Sequence, residues 1–146
     1  MKDLMDLTEH YSLLEKVYVD APVNAVYSPK IQVSEGKAEV EIDISPKYHH
    51  GMHAVHGAVV FKMADDAGFF AANSVLPEFF VLTANFNIHF IRPIVSGKLI
   101  GIGKVIHKGS RQIIVDVTCF NQKEKIVAQG RGVYMPSSFP LIDALT

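Results

Sequence analysis

Residues 49–73 read HHGMHAVHGAVVFKMADDAGFFAAN. A polar turn rich in His and Gly runs into a stretch that is apolar on most of its helical faces. The helix should begin at about Gly57 and stop at Asn73-Ser74, with Pro77 just beyond. A helix apolar all round is a buried helix, so this one should lie at the centre of the domain. Two carboxylates, Asp65 and Asp66, interrupt the apolar run, where an unpaired carboxylate is costly to bury. Chemistry is therefore expected along this helix, with the rest of the chain wrapped around it.

Before the helix, Leu4, Leu7, Tyr11 and Leu14 recur at helical spacing with acids between them, which predicts an amphipathic helix over residues 3–17. Residues 20–30, with Pro22 and Pro29, read as an irregular connection or edge. Residues 37–44 alternate, with Ala38, Val40, Ile42 and Ile44 on one face, and predict a half-buried strand. After the helix come four more candidate strands, at about 79–91, 98–107, 112–121 and 126–135. In the first, Leu82, Ala84, Phe86, Ile88 and Phe90 share one face, and Thr83, Asn85, Asn87 and His89 share the other. Short turns between successive strands imply antiparallel neighbours. The tail, residues 136–146, reads as loose or as docking through Phe139 and Leu141. One dry sheet face and one long apolar helix define a single α+β domain, an antiparallel sheet of five to six strands around the helix. Its core should span about 31–135.

The bulk numbers narrow the class. The chain has 146 residues, 49% of them hydrophobic, and the mean hydropathy is +0.19. That is apolar for so small a monomer, and a subunit interface would absorb the excess. With 14 basic and 15 acidic residues there is no field to attract nucleic acid or an anionic membrane. No apolar run is long enough to span a bilayer, and the first residues carry acids where a secretory signal would be apolar. Cys119 is the lone cysteine, which fits a reducing compartment such as the cytoplasm.

Three segments together resemble the hot-dog-fold acyl-CoA thioesterases of the phenylacetate-degradation type: His56-Gly57-Ala58, Met63-Ala64-Asp65, and the strand Asn87–Pro93 ending in Arg92-Pro93. Gly97, the turn Lys108-Gly109-Ser110-Arg111 and the run 126–130 extend the likeness to roughly residues 35–135. Two positions depart from the family pattern. Ala58 replaces the second glycine of the motif, and His50 stands where an Asn is often found six residues before the motif His.

The resemblance implies hydrolysis of an acyl-CoA thioester. That chemistry needs a donor for the carbonyl oxygen and a base or nucleophile for the carbonyl carbon. Gly57 opens the helix, so its free N–H and the helix dipole make such a donor. The residues alone leave Asp65 and Asp66 equal as base or nucleophile; the family spacing, nine residues past His56, selects Asp65. Thr83 would orient Asp65 or the water, with Asn85 and Asn87 behind it. His56 and His50 would order the loop or touch the thioester. Arg92, Lys104, Lys108, Ser110 and Arg111 are candidates for the coenzyme A phosphates, and Phe69, with Phe70, Phe79 and Phe80, for the acyl pocket. No metal site or redox cofactor is expected, coenzyme A entering only with the substrate, although His49, His50, His53 and His56 are potential ligands.

Gly57 and Asp65 lie eight residues apart, ~12 Å along a helix axis. Asp65 is therefore expected to serve a carbonyl held by the Gly57 of a second subunit, in a homodimer; the resemblance further implies a homotetramer. Two competing functions remain on the same fold: a non-catalytic acyl-CoA-binding module, and a hydratase or dehydratase, whose motif spacing is absent here.

Overall fold

The computed structural model describes residues 6–145, so the first turn expected at residues 3–5 lies outside the described residues. The first helix, α1, is Leu7–Asp20, capped by Asp6, whose carboxylate accepts from the Thr8 N–H. Leu13, Leu14 and Tyr18 form its buried stripe. The connection after it is less irregular than expected. It holds a one-turn helix α2, Asn24–Tyr27, and then a strand β1, Lys30–Ser34. β2, Lys37–Asp43, buries Ala38, Val40 and Ile42 on one side, as its alternation predicts. A 3-10 turn at Pro46–Tyr48 leads to the central helix α3, Gly57–Ser74. The strands β3 (Phe79–Phe90), β4 (Lys98–Lys108), β5 (Ile113–Asn121) and β6 (Ile126–Pro140) follow.

All six strands form one antiparallel sheet in the order β1-β2-β4-β5-β6-β3. α3 lies across it, with Met63, Ala64, Ala67, Phe70 and Ala71 buried in one cluster with Val40, Leu99, Val115 and Val117. Two glycines in β4 let the helix backbone come close. A Cβ on Gly103 would stand 2.5 Å from the Ala67 carbonyl oxygen, and one on Gly101 3.0 Å from that of Met63. α1 packs over α3 from the other side. No helix among the described residues is long and apolar enough to cross a membrane.

Three expectations are corrected. β3 and β4 are consecutive but not neighbours: β4 inserts between β2 and β5, while β3 pairs only with β6 and forms a sheet edge. The chain around Arg92-Pro93 and Gly97 is therefore a crossing between distant strands. Residues 136–140 are not a loose tail but the end of β6, paired with Phe79–Val81. Leu141 is buried just after it, while Phe139 stays half exposed with its ring against Phe80. Lastly, the period-2 alternation of β3 breaks at a register shift between Thr83 and Asn85. An extra residue in a strand turns the following side chains to the other face. Thr83 consequently shares the helix-facing side with Phe86 and Ile88 rather than with Asn85, Asn87 and His89, and Leu82 is exposed on the outside.

Candidate active site

The mouth of α3 is held by its own loop. The His56 backbone N–H donates to the Tyr48 carbonyl and that of Val55 to Ile94. His56 is the N-cap: its backbone is extended and its ring Nδ1 accepts from the Ala58 N–H at 2.9 Å. The imidazole thus takes the part usually played by Ser, Thr, Asp or Asn. Gly57 is the first helical residue, and its N–H has no acceptor among the described residues. It faces a cavity of about 290 Å³ whose lining includes His50, Gly57, Val60, Phe90, Arg92 and Ile94. The fold does not itself require glycine here. φ at Gly57 is not positive, and a Cβ would meet the Phe90 ring at 3.5 Å, an ordinary contact.

Asp65 lies further along α3, half buried, and none of the groups lining the Gly57 cavity is Asp65. The Thr83 hydroxyl donates to its carboxylate, at 3.0 Å from Oδ1 and 3.3 Å from Oδ2. The phenol of Tyr134 on β6 donates to Oδ1 at 3.1 Å. Burial pushes the Asp65 carboxyl above the usual carboxylate range, and the two hydroxyls pull part of the way back. The bulge in β3 is what turns Thr83 toward Asp65.

Asp66 has a different environment. Lys62, one turn earlier, pairs with it at 2.5 Å, and the Tyr18 hydroxyl donates to it at 2.8 Å. The same ammonium reaches Asn24 Oδ1 and lies near the Tyr18 and Tyr27 rings, tying α1 and α2 to α3. Asp66 is thus part of an internal clasp. The Lys62–Asp66 spacing of four residues was a sequence signal for this role. Tyr134 had no local signal.

The other candidates fall into groups. Arg92 lines the Gly57 cavity and donates through Nη1 to the Ile126 carbonyl. Lys108, Ser110 and Arg111 sit exposed on the β4–β5 hairpin, away from Arg92. The ladder places Lys108 opposite Ile113, Ile113 opposite Tyr134, and Tyr134 opposite Thr83, so this hairpin stands at the Thr83 end of the sheet. Lys104 is opposite Asp116 on β5. Asn87 and His89 line an outer-face groove with Asp116 and Arg131, so Asn87 does not back Asp65. Phe69 packs on Phe70 and edge-on against Tyr134. Among the histidines, His49 meets the Val95 carbonyl, His50 Nδ1 accepts from the Met52 N–H, and His53 has positive φ. The rings of His49 and His50 thus order the loop locally, and no set of three metal-binding side chains converges among the described residues.

A six-stranded antiparallel sheet wrapped around one central helix is the architecture of the hot-dog fold. The chain belongs to the thioesterase superfamily, whose model matches residues 52–128. Within that family it is PaaI-like. It is 31% identical over 114 residues to the acyl-coenzyme A thioesterase PaaI of Escherichia coli, covering 77% of this chain and 80% of PaaI. It is 24% identical over 102 residues to the 1,4-dihydroxy-2-naphthoyl-CoA hydrolase of Listeria monocytogenes, covering 69% of this chain and 83% of that one. The structure of E. coli PaaI, from the phenylacetic acid degradation operon, matches with a TM-score of 0.83 at 24% identity, over 91% of this chain and 96% of that one. The fold expected from the resemblance, and the thioesterase class, are thereby established.

Proposed function

We propose that this protein hydrolyses an acyl-CoA thioester to the free acid and coenzyme A, at a site shared by two copies of the chain. The thioester carbonyl oxygen is held by the Gly57 N–H at the positive end of α3. Asp65 of the other copy takes a proton from water, whose oxygen adds to the carbonyl carbon. The C–S bond then breaks, and the leaving thiolate takes up the proton that Asp65 accepted, giving coenzyme A and restoring the carboxylate. The two tasks are met by a backbone donor and a carboxylate, so the reaction calls for no metal or redox group; coenzyme A comes with the substrate.

The observation that carries this is the pairing of an N–H that has no acceptor among the described residues, on a residue with no structural need to be glycine, with a half-buried carboxylate that two hydroxyls, and no cation among those residues, contact. The separation between them favours a shared site. Gly57 lies against the Phe90 end of β3, while Asp65 is held by Thr83 near its other end, ~12 Å further along the helix axis. β3 is an edge strand of 12 residues with Leu82 and Phe90 exposed. An exposed edge of that length and apolarity is a template for pairing. Antiparallel pairing of two β3 edges about a two-fold axis would bring the Gly57 end of one chain to the Asp65 end of the other. It would also bring Arg92 of one chain toward the hairpin bearing Lys108, Ser110 and Arg111 of the other, a place for the phosphates. A pair of such dimers would make the tetramer.

The test is thiol release from a small panel of acyl-CoAs by wild type, Asp65→Asn and Asp66→Asn. Turnover lost in Asp65→Asn alone, with the fold intact, supports the proposal. Tight binding without cleavage of any acyl-CoA would replace it with a binding module.

A further inference from the structure

One side chain at Asp65 has no part in the reaction so far. Tyr134 is fully buried on β6, and its phenol oxygen lies 3.1 Å from Asp65 Oδ1 and 3.3 Å from the Asp65 carbonyl. Two glycines, on different elements, make room for it. A Cβ on Gly68, inside α3, would fall 2.1 Å from that phenol oxygen, and one on Gly132, two residues earlier on β6, 2.6 Å from it. Neither glycine has positive φ, so neither serves a turn. A glycine inside a helix or a strand weakens that element relative to alanine. At Gly68 the closest approach is to the hydroxyl (2.1 Å) and not to the ring carbons (2.8 and 3.2 Å), so the vacancy accommodates the phenol oxygen rather than a generic aromatic ring.

We propose that Tyr134 is a positioning residue for thioester hydrolysis: with Thr83 it ties down Asp65 Oδ1 and leaves Oδ2 to take the proton from water. This rests on Asp65 being the base. Thr83 has one hydroxyl proton and its shorter path runs to Oδ1, so both donors converge on the same oxygen. The phenol remains a donor throughout, because burial and the neighbouring carboxylate push its own ionisation far up. Facing Asp65 are Thr83 from β3 and Tyr134 from β6, and on its own helix Asp66 and Lys62, whose charges act in opposite directions. Each hydroxyl favours the ionised carboxylate against the burial that opposes it.

The test is the titration of the Asp65 carboxyl carbon by NMR in the whole protein, its signal assigned by loss in Asp65→Asn, beside the pH profile of kcat and KM. In Tyr134→Phe, Asp65 should titrate about one pH unit higher. The acid limb of kcat should move with it, giving a roughly tenfold loss on the acid side that recovers as pH rises, with KM little changed. A folded Tyr134→Phe in which neither the carboxyl nor the limb moves would reduce Tyr134 to packing. Should that variant not fold, a ring-fluorinated tyrosine placed at 134 keeps the shape and strengthens the donor. Asp65 should then titrate lower, and an unmoved titration overturns the proposal. Full turnover by Asp65→Asn would overturn the base itself and this role with it, an outcome the titration keeps distinct from a Tyr134 that has no effect on Asp65.

Discussion

Asp66 has the Lys62 ammonium and the Tyr18 hydroxyl as partners, whereas Asp65 has two hydroxyls and no cation in contact among the described residues. Burial raises both carboxyls, but only Asp66 holds an ammonium that its removal would leave without its carboxylate, and this difference predicts opposite responses to the same substitution. Burial raises the Asp65 carboxyl above its ordinary value, so above the usual carboxylate range the folded chain holds its proton more tightly than the unfolded one. That contribution to stability is lost as pH rises through the raised value, and at neutral pH the ionised Asp65 opposes folding. Asp65→Asn should therefore abolish hydrolysis and raise the melting temperature at pH 7, by roughly 2–5 °C, with the gap closing on acidification. A thermal denaturation series in pH checks it, and a lower melting temperature at pH 7 would contradict it. Asp66→Asn leaves Lys62 without its carboxylate and should cost ~2–3 kcal/mol, with turnover per folded molecule within a few-fold of wild type. Denaturant titration beside the thiol-release assay reads both. The residues alone left the two acids equal and the family spacing selected Asp65, although Lys62, four residues before Asp66, was an available signal for that acid's ion pair. Of the two hydroxyls on Asp65, Thr83 was expected, whereas Tyr134 was not legible, because it is 69 residues away and reaches Asp65 only through the β6–β3 pairing.

At the level of elements, α3 was legible because it is apolar on most of its faces, and β2 because it buries alternate residues. β1 was missed: KIQVS is short, and part of its backbone bonding is nonlocal, the Val33 N–H going to Glu15 of α1. The β3 bulge was hidden because an inserted residue leaves the alternation intact on either side and changes only which halves match. The mouth of α3 yields its own prediction. Gly57→Ala places a methyl in ordinary contact with Phe90 at a helical φ, so stability should hold or rise by up to about 0.5 kcal/mol. Turnover should fall ~100-fold, since the methyl crowds the carbonyl's approach to the N–H. Marked destabilisation, or full activity, would return Gly57 to a structural role. α1 carries a pH dependence of a different kind. His10 is fully buried, with Nε2 against the Asn73 carbonyl and Nδ1 without a partner, and burial lowers its pKa from 6.5. Above pH 6.5 both states are neutral and its contribution is complete; as pH falls below that, the unfolded chain takes up the proton first and stability declines. The melting temperature should drop between about pH 7 and 5 more steeply in wild type than in His10→Gln. Parallel slopes would count against it.

For the molecule as a whole, the resemblance already contained the fold, and the sheet with its central helix agrees. What sequence order concealed was the strand order. Placing β4 and β5 between β2 and β6 leaves β3 as the edge, and on that edge the Gly57 and Asp65 ends of the site lie apart. Leu82 and Phe90 on β3 and Ile91 just beyond it are among the exposed apolar residues, and the proposed second copy would cover them. Subunit mixing tests the shared site most directly. Gly57→Ala and Asp65→Asn, each nearly inactive alone, are unfolded together and refolded as a mixture. If each site takes Gly57 from one chain and Asp65 from the other, half the dimers are mixed and each has one intact site, so activity should return to about a quarter of wild type. If both residues of a site come from one chain, no combination restores it, and activity that stays at the level of the separate variants would contradict the shared site.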